Sequence, residues 1–184
     1  GKEPLTVEFS SAGSQDQEQD GSIVSYAWDF DDGDTSSSPN PTHVYQAAGT
    51  YVATLTVTDN DGATATTTVV TTVDPNQTPT AVAGANVTSG HAPLEVDFSS
   101  AGSLDPDGTF TVSWDFGDGA TSTQANPTHT YTNATSETIV RTATLTVTDD
   151  NGATSVSTLV IDVWPENQAP TADVVATPES GKTP

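Results

Sequence analysis

The residues best suited to chemistry are acids in turns. LDPDG (Leu104 to Gly108) places Asp105 and Asp107 two apart in a turn that ends on glycine, a spacing that lets alternate side chains converge on one hard cation. QDQEQDG (Gln15 to Gly21) offers Asp16, Glu18 and Asp20 in a related turn. His43 and His129 sit in identical NPTH contexts, which raises a metal or catalytic reading. Neither has a cysteine partner or the spacing of a Ser-His-Asp constellation, so each is expected to be a hydrogen-bonded structural imidazole at a strand start. His91 reads as an unmatched loop residue.

Composition narrows the rest. Three Lys plus Arg (Lys2, Arg141, Lys182) stand against 25 Asp plus Glu, a formal charge of -22, which repels nucleic acid and anionic membrane surfaces. Such a surface suits divalent cations and salt, and a marine or saline microbial exterior is expected. No cysteine or methionine is present, so disulfides, zinc thiolate sites and thiol nucleophiles are excluded. No run of apolar residues approaches the length of a membrane-spanning helix. Sequons at Asn76, Asn86 and Asn133 are ordinary in a Thr-rich chain.

The elements that must position these residues come from an internal repeat. PLTVEFSSAGS (Pro4 to Ser14) recurs as PLEVDFSSAGS (Pro93 to Ser103), WDFDDG (Trp28 to Gly33) as WDFGDG (Trp114 to Gly119), NPTHVY (Asn40 to Tyr45) as NPTHTY (Asn126 to Tyr131), and TLTVTDNDG (Thr54 to Gly62) as TLTVTDDNG (Thr144 to Gly152). NQTPTAVAGANVTSGHAP (Asn76 to Pro93) recurs at an offset of 91 as NQAPTADVVATPESGKTP (Asn167 to Pro184). The division is therefore residues 1–75, a first domain lacking its own first strand; 76–166, a complete second domain; and 167–184, the first strand of a following repeat. Short Val-, Thr- and aromatic-rich segments with period-two alternation, punctuated by Gly, Asp, Asn and Pro, read as strands. In the second domain they are expected near Thr80 to Gly84, Glu95 to Ser99, Thr111 to Asp115, His129 to Tyr131, Arg141 to Thr148 and Thr154 to Val163. Trp28, Trp114, Tyr45 and Tyr131 are expected in the cores. Asp29, Asp115 and Asp118 should cap turn N–H groups, and Gly33, Gly117 and Gly119 should take positive φ. Trp164 reads as hinge packing, and Arg141 aligns near Tyr51.

At WDFGDG, NPTHTY and TLTVTDDNG the chain resembles the PKD domain. The resemblance implies an all-β fold: two tandem immunoglobulin-like (PKD-type) β-sandwiches with Greek-key connections, plus a C-terminal orphan strand. It implies no enzyme activity, but a spacer, adhesion or accessory module of microbial exoproteins and cell-surface proteins. Some calcium-binding modules of this kind also use the Asn that opens the first strand and an acid of the VTDD turn. Carried over, that implies Ca2+ at Asn76, Asp105, Asp107 and Asp149 in the second domain. In the first it implies Asp16, Glu18, Asp20 and Asp59, with Asn167 borrowed from elsewhere.

A sandwich without its first strand exposes an unpaired edge, a template for another chain. The segment Thr171, Ala172, Asp173, Val174 and Val175 could complete the first domain of a neighbour by strand addition. The expected function is an extracellular structural or adhesive module, stiffened by calcium and joined head to tail with copies of itself, as a donor-strand filament or a covalent stalk. Other cell-surface or matrix components are possible partners; nucleic acid and membrane insertion are not. The alternative is an accessory substrate-binding or spacer pair from a secreted hydrolase.

Overall fold

Alternating apolar and Thr or Ser positions bounded by turn residues favour strands throughout, and a computed structural model, which describes residues 1–18 and 21–174, shows strands and turns with no helix. The chain divides into two compact units. The first holds Gly1–Pro79 with the turns Leu104–Phe110 and Thr148–Thr154; the second holds Thr80–Ser103, Thr111–Val147 and the residues from Ser155 onward. The sequence boundary at 75/76 separates repeats, whereas compactness assigns these two turns of the second repeat to the first unit.

The first repeat contributes β1 (Leu5–Glu8), β2 (Ile23–Asp29), β3 (Thr35–Ser36), β4 (Thr42–Tyr45), β5 (Gly49–Asp59) and β6 (Thr64–Val73). They form a sheet β1-β4 and a sheet β3-β2-β5-β6. The second contributes β7 (Gly84–Ala85), β8 (Ser89–His91), β9 (Leu94–Ser99), β10 (Phe110–Asp115), β11 (Thr121–Ser122), β12 (Thr128–Tyr131), β13 (Ile139–Asp149) and β14 (Thr154–Trp164). Their sheets are β12-β9-β7 and β11-β10-β13-β14-β8. β1 with β4, β2 with β3 and β5, β5 with β6, β9 with β7 and β12, and β10 with β11 are antiparallel, whereas β14 with β8 is parallel, with Val163 opposite Gly90. In the first repeat its counterpart is the single parallel bridge Lys2 to Asp74, flanked by bonds from Glu3 N–H to Asp74 O at 2.9 Å and from Asp74 N–H to Gly1 O at 2.8 Å.

The expected opening strand Thr80 to Gly84 differs from this. Thr80 forms an isolated bridge, and a paired strand begins only at Gly84 and Ala85, opposite Ser99 and Phe98 of β9. Upstream, side-chain hydroxyls take over the ladder's role: Ser155 Oγ accepts from Ala81 N–H and Ser157 Oγ from Ala83 N–H, both at 3.2 Å. His91 ends β8 rather than lying in a loop.

Each repeat builds its core by facing one sheet on the other. Trp114 is wholly buried among Leu94, Val96, Phe98, Phe116, Tyr131, Leu145, Val147, Ile161 and Val163. Trp28 holds the same place among Phe9, Phe30, Tyr45, Leu55 and Val73. The ring geometry repeats: Phe9 lies 5.2 Å from Trp28 and Phe98 lies 5.1 Å from Trp114, both at 50°. The stack continues outward, with His43 on Phe30 at 4.1 Å and His129 on Phe116 at 4.2 Å. Each imidazole meets a Tyr edge-on, at 4.7 Å for Tyr45 and 4.6 Å for Tyr131. Burial pushes the Tyr131 phenol up to about 12, and its hydroxyl donates to Phe116 O at 3.0 Å.

The turn after each Trp is locked to this stack. Asp29 and Asp115 accept from Asp31 and Gly117 N–H at 3.0 and 2.8 Å. The donating position has positive φ in both repeats, 66° at Asp31 and 76° at Gly117, a conformation Asp tolerates better than most residues. Asp32 and Asp118 each lie 2.7 Å from His43 and His129 Nε2. Burial alone would raise these two carboxyls; the imidazole bond, with a backbone N–H and nearby charge, outweighs it and holds both below the usual carboxylate range.

Trp114→Ala should cost about 3–5 kcal/mol, because it removes a fully buried aromatic and leaves a cavity; urea unfolding measures it. For Asp32 and Asp118 the folded pKa lies below the unfolded one. Their contribution is present above the unfolded value of roughly 4 and is lost as pH falls through the depressed folded values. Unfolding midpoints should therefore drop below about pH 4, and Asp118→Asn should flatten that drop.

Candidate functional site

The strand ends of the first unit gather the predicted ligands of the second repeat. Asp149 closes β13 and uses Oδ1 to accept Asn151 and Ala153 N–H at 2.9 and 2.7 Å, while Oδ2 accepts Asn76 Nδ2 at 2.8 Å. The Asn76 bond leads the effects that hold the Asp149 carboxyl below its ordinary value. Asp105 Oδ1 accepts Asp107 N–H at 3.3 Å, and Asp107 Oδ2 accepts Gln77 N–H at 3.0 Å. The remaining oxygens, Asp105 Oδ2 and Asp107 Oδ1, are buried with no hydrogen-bond partner. Loss of water pushes the Asp105 carboxyl up; Asp107's charge adds to this, while the Asp107 N–H bond and Lys2 oppose it.

A cation from the chain itself enters this cluster. Lys2 Nζ lies 2.6 Å from Asp150 Oδ1, 3.3 Å from Asn76 Oδ1 and 4.0 Å from Asp107 Oδ1. The Asp150 bond raises the Lys2 pKa. A Cβ on Gly108 would meet Lys2 Nζ at 2.5 Å, Asp150 Oδ1 at 2.6 Å and Asp105 Oδ2 at 2.8 Å, so a side chain there would push these charged ends apart. Lys2 and Asp150 escaped the sequence reading because Lys2 is remote in sequence and its repeat counterpart is His91. The oxygen donors and the two orphaned carboxylate atoms suit a hard divalent cation.

The set implied for the first repeat is arranged differently. Asp59 Oδ1 caps its own turn, accepting Asp61 and Ala63 N–H, both at 2.9 Å. Asp16 Oδ1 accepts Glu18 N–H at 3.0 Å. Among the described residues no hydrogen bond joins Asp16 or Glu18 to Asp59; Asn167 is exposed, and Asp20 lies outside the described residues. The described group of three acids or histidines that does converge is Asp32, Asp34 and His43. There Asp32 already serves the imidazole and accepts Asp34 N–H at 3.1 Å, and the second repeat has Ala120 in place of Asp34.

The second feature is an open groove of about 610 Å³ along β6, lined by Phe9, Ser10, Ser14, Trp28, Leu55, Thr67, Val69 and Thr71 among others. In the second repeat the segment 80–85 covers the corresponding surface. Ala81, Ala83 and Ala85 pack on the second core, and Val82 N–H donates to Ser103 Oγ at 3.0 Å. A Cβ on Gly102 would strike Val82 at 2.8 Å, yet one on its counterpart Gly13 would meet nothing within 4 Å. Ser155, Ser157 and Leu159 are half-buried, whereas their counterparts Ala65, Thr67 and Val69 are exposed. Thr171–Val174 belong to no strand and are exposed, Val174 at 91%; Val175 lies outside the described residues.

Smaller expectations resolve locally. Trp164 meets His91 edge-on at 5.2 Å, and His91 Nδ1 is 2.7 Å from Pro165 O. Arg141 donates to Gly117 O at 3.3 Å. Asn133 is buried, its Nδ2 donating to Glu137 O and Val163 O at 2.9 and 2.8 Å, so this sequon is closed to glycosylation.

A microbial collagenase of Vibrio alginolyticus is 43% identical over 84 residues, 45% of this chain and 10% of the collagenase. The pre-pro-metalloprotease PrtV of Vibrio cholerae is 45% identical over 71 residues, 38% of this chain and 7% of the protease. The chain thus spans no more than about a tenth of the length of these relatives. The solved PKD1 domain of PrtV is 36% identical, with 48% of this chain and 99% of that domain covered at a TM-score of 0.40. The family model described as the PKD domain matches residues 2–73 and again 76–163. The chain therefore belongs to the PKD family and carries two of its domains in tandem, non-catalytic modules with an immunoglobulin-like sandwich fold.

Proposed function

We propose that this PKD pair is an extracellular structural and adhesive element, built into end-to-end assemblies in which the open groove of the first unit takes up the opening segment of another PKD repeat. The observation that carries this is the contrast at β6: the same sequence elements are covered by residues 80–85 in the second repeat and uncovered in the first. An unpaired edge beside an apolar groove favours addition of an extended segment. Head-to-tail addition between copies propagates unless it closes into a ring; within a longer chain the same contact links successive repeats into a stalk. The formal charge of -22 suits an exterior rich in salt and divalent cations.

Calcium would stiffen the element. Asn76, Asp105, Asp107 and Asp149 would hold it, a bound Ca2+ supplying the positive charge that the orphaned carboxylate oxygens lack. Lys2 supplies part of that charge in its absence and would compete.

The second reading, an accessory pair of a secreted hydrolase, is favoured by the names of the relatives, a collagenase and a metalloprotease. Against glycan capture, Trp28 and Trp114 are core residues, and among the described residues the exposed large aromatics are Phe110 and Trp164.

Millimolar Ca2+ should raise the melting temperature of chelator-treated protein; Lys2→Met should enlarge the rise and Asp107→Asn should remove it. No shift in either the parent chain or Lys2→Met would eliminate calcium. A peptide with the sequence of residues 76–93 should raise the melting temperature of the chain, and the chain should not be retained on insoluble collagen. Retention without any peptide effect would favour the accessory reading.

A further inference from the structure

We propose that the groove of the first unit is matched to the segment 171–174 of a second copy of this chain, with Val174 in the seat that the second repeat gives to Ala83. The proposal rests on the reading that the groove takes an opening segment, and it adds which one. The offset of 91 between the two opening segments places Ala172 at the position of Ala81, Asp173 at Val82 and Val174 at Ala83.

The walls change in step with that occupant. At the offset of 90 that relates β6 to β14, Leu159 becomes Val69 and Ile161 becomes Thr71, each one heavy atom smaller, the second also gaining a hydroxyl; Ser155 becomes Ala65, losing a hydroxyl; and Ser157 becomes Thr67, gaining a methyl. The groove of the first repeat is thus roomier by about two heavy atoms, and Val174 is larger than Ala83 by two methyls. Core seats reward such volume matching, since an unfilled methyl-sized void and an overpacked seat each cost stability. Val174 has a further reason to bind, because it is 91% exposed in the chain as it stands, and burying its side chain removes apolar surface from water.

Two of the three polar partners correspond, while Ala65 has no hydroxyl to replace that of Ser155, which accepts Ala81 N–H. Thr67 places a hydroxyl where Ser157 accepts Ala83 N–H, so it can accept Val174 N–H. Ser14 stands where Ser103 accepts Val82 N–H and can accept Asp173 N–H. Asp173 takes an outward position, since Val82 is itself 43% exposed, and its carboxylate stays in water. Gly13 leaves the passage open: a Cβ at the equivalent Gly102 would collide with Val82 at 2.8 Å.

Analytical ultracentrifugation of the full chain tests this with two blocking variants on opposite partners. The weight-average mass of the parent chain should rise with concentration above 18.9 kDa. It should stay at that value for Val174→Asp, which puts a charge in the seat, and for Gly13→Val. At dilutions where the parent chain is monomeric, Gly13→Val should keep its melting temperature, because the added side chain points into open space. Association that survives either variant, or a parent chain that stays monomeric to millimolar concentration, overturns the proposal. If the 76–93 peptide stabilises the parent chain in that monomeric case, the groove still takes an opening segment and only its match to 171–174 fails. If neither that peptide nor a 167–184 peptide has any effect, the reading fails as well.

Discussion

Every part of this molecule depends on covering one indole from both sides. A module of about 80 residues without a disulfide has little core with which to offset chain entropy, so one large aromatic on a central strand carries a disproportionate share. Around Trp28 and Trp114 the same ladder repeats, from Phe through Trp and Phe to His and Tyr. The turn that follows each Trp is tied to the ladder by its Asp–His contact. What differs is the lid. Trp114 is closed over, whereas Trp28 borders a groove.

That difference makes the second repeat a template for reading the first. Its opening segment is held less by a backbone ladder than by serine hydroxyls. Such an attachment buries small side chains and a few polar bonds, so the Thr-rich surface left without it can remain in water. Threonine keeps β6 extended without presenting the flat apolar edge that drives indiscriminate pairing.

Much of this could be read from the residues. The repeat, both core tryptophans and tyrosines, the capping acids and the strands β9, β10, β12, β13 and β14 follow from periodicity and turn chemistry, which act locally. The hydrogen-bonded histidines followed from the lack of any plausible partner for catalysis. The opening segment was harder: Thr80 to Gly84 look like a strand by composition, but the N–H groups of Ala81, Val82 and Ala83 go to side chains, which no periodicity records. The acid cluster was half legible. Asp105 and Asp107 announce themselves by spacing, whereas the approach of Lys2 depends on chain geometry across 148 residues. The first-repeat acids are arranged differently: Asp59, like Asp149, caps its own turn, and among the described residues no hydrogen bond joins it to Asp16 or Glu18.

The parallel pairing near the ends of each repeat has a mechanical consequence. In the second repeat the chain runs through β8 close to its start and leaves through β14, and these strands lie parallel. Lys2 and Asp74 bridge in the same sense in the first. Tension that draws the two ends of such a module apart slides the paired strands past each other instead of peeling them, so their hydrogen bonds are loaded together and must yield together. A module threaded this way resists stretching with its whole terminal pair at once.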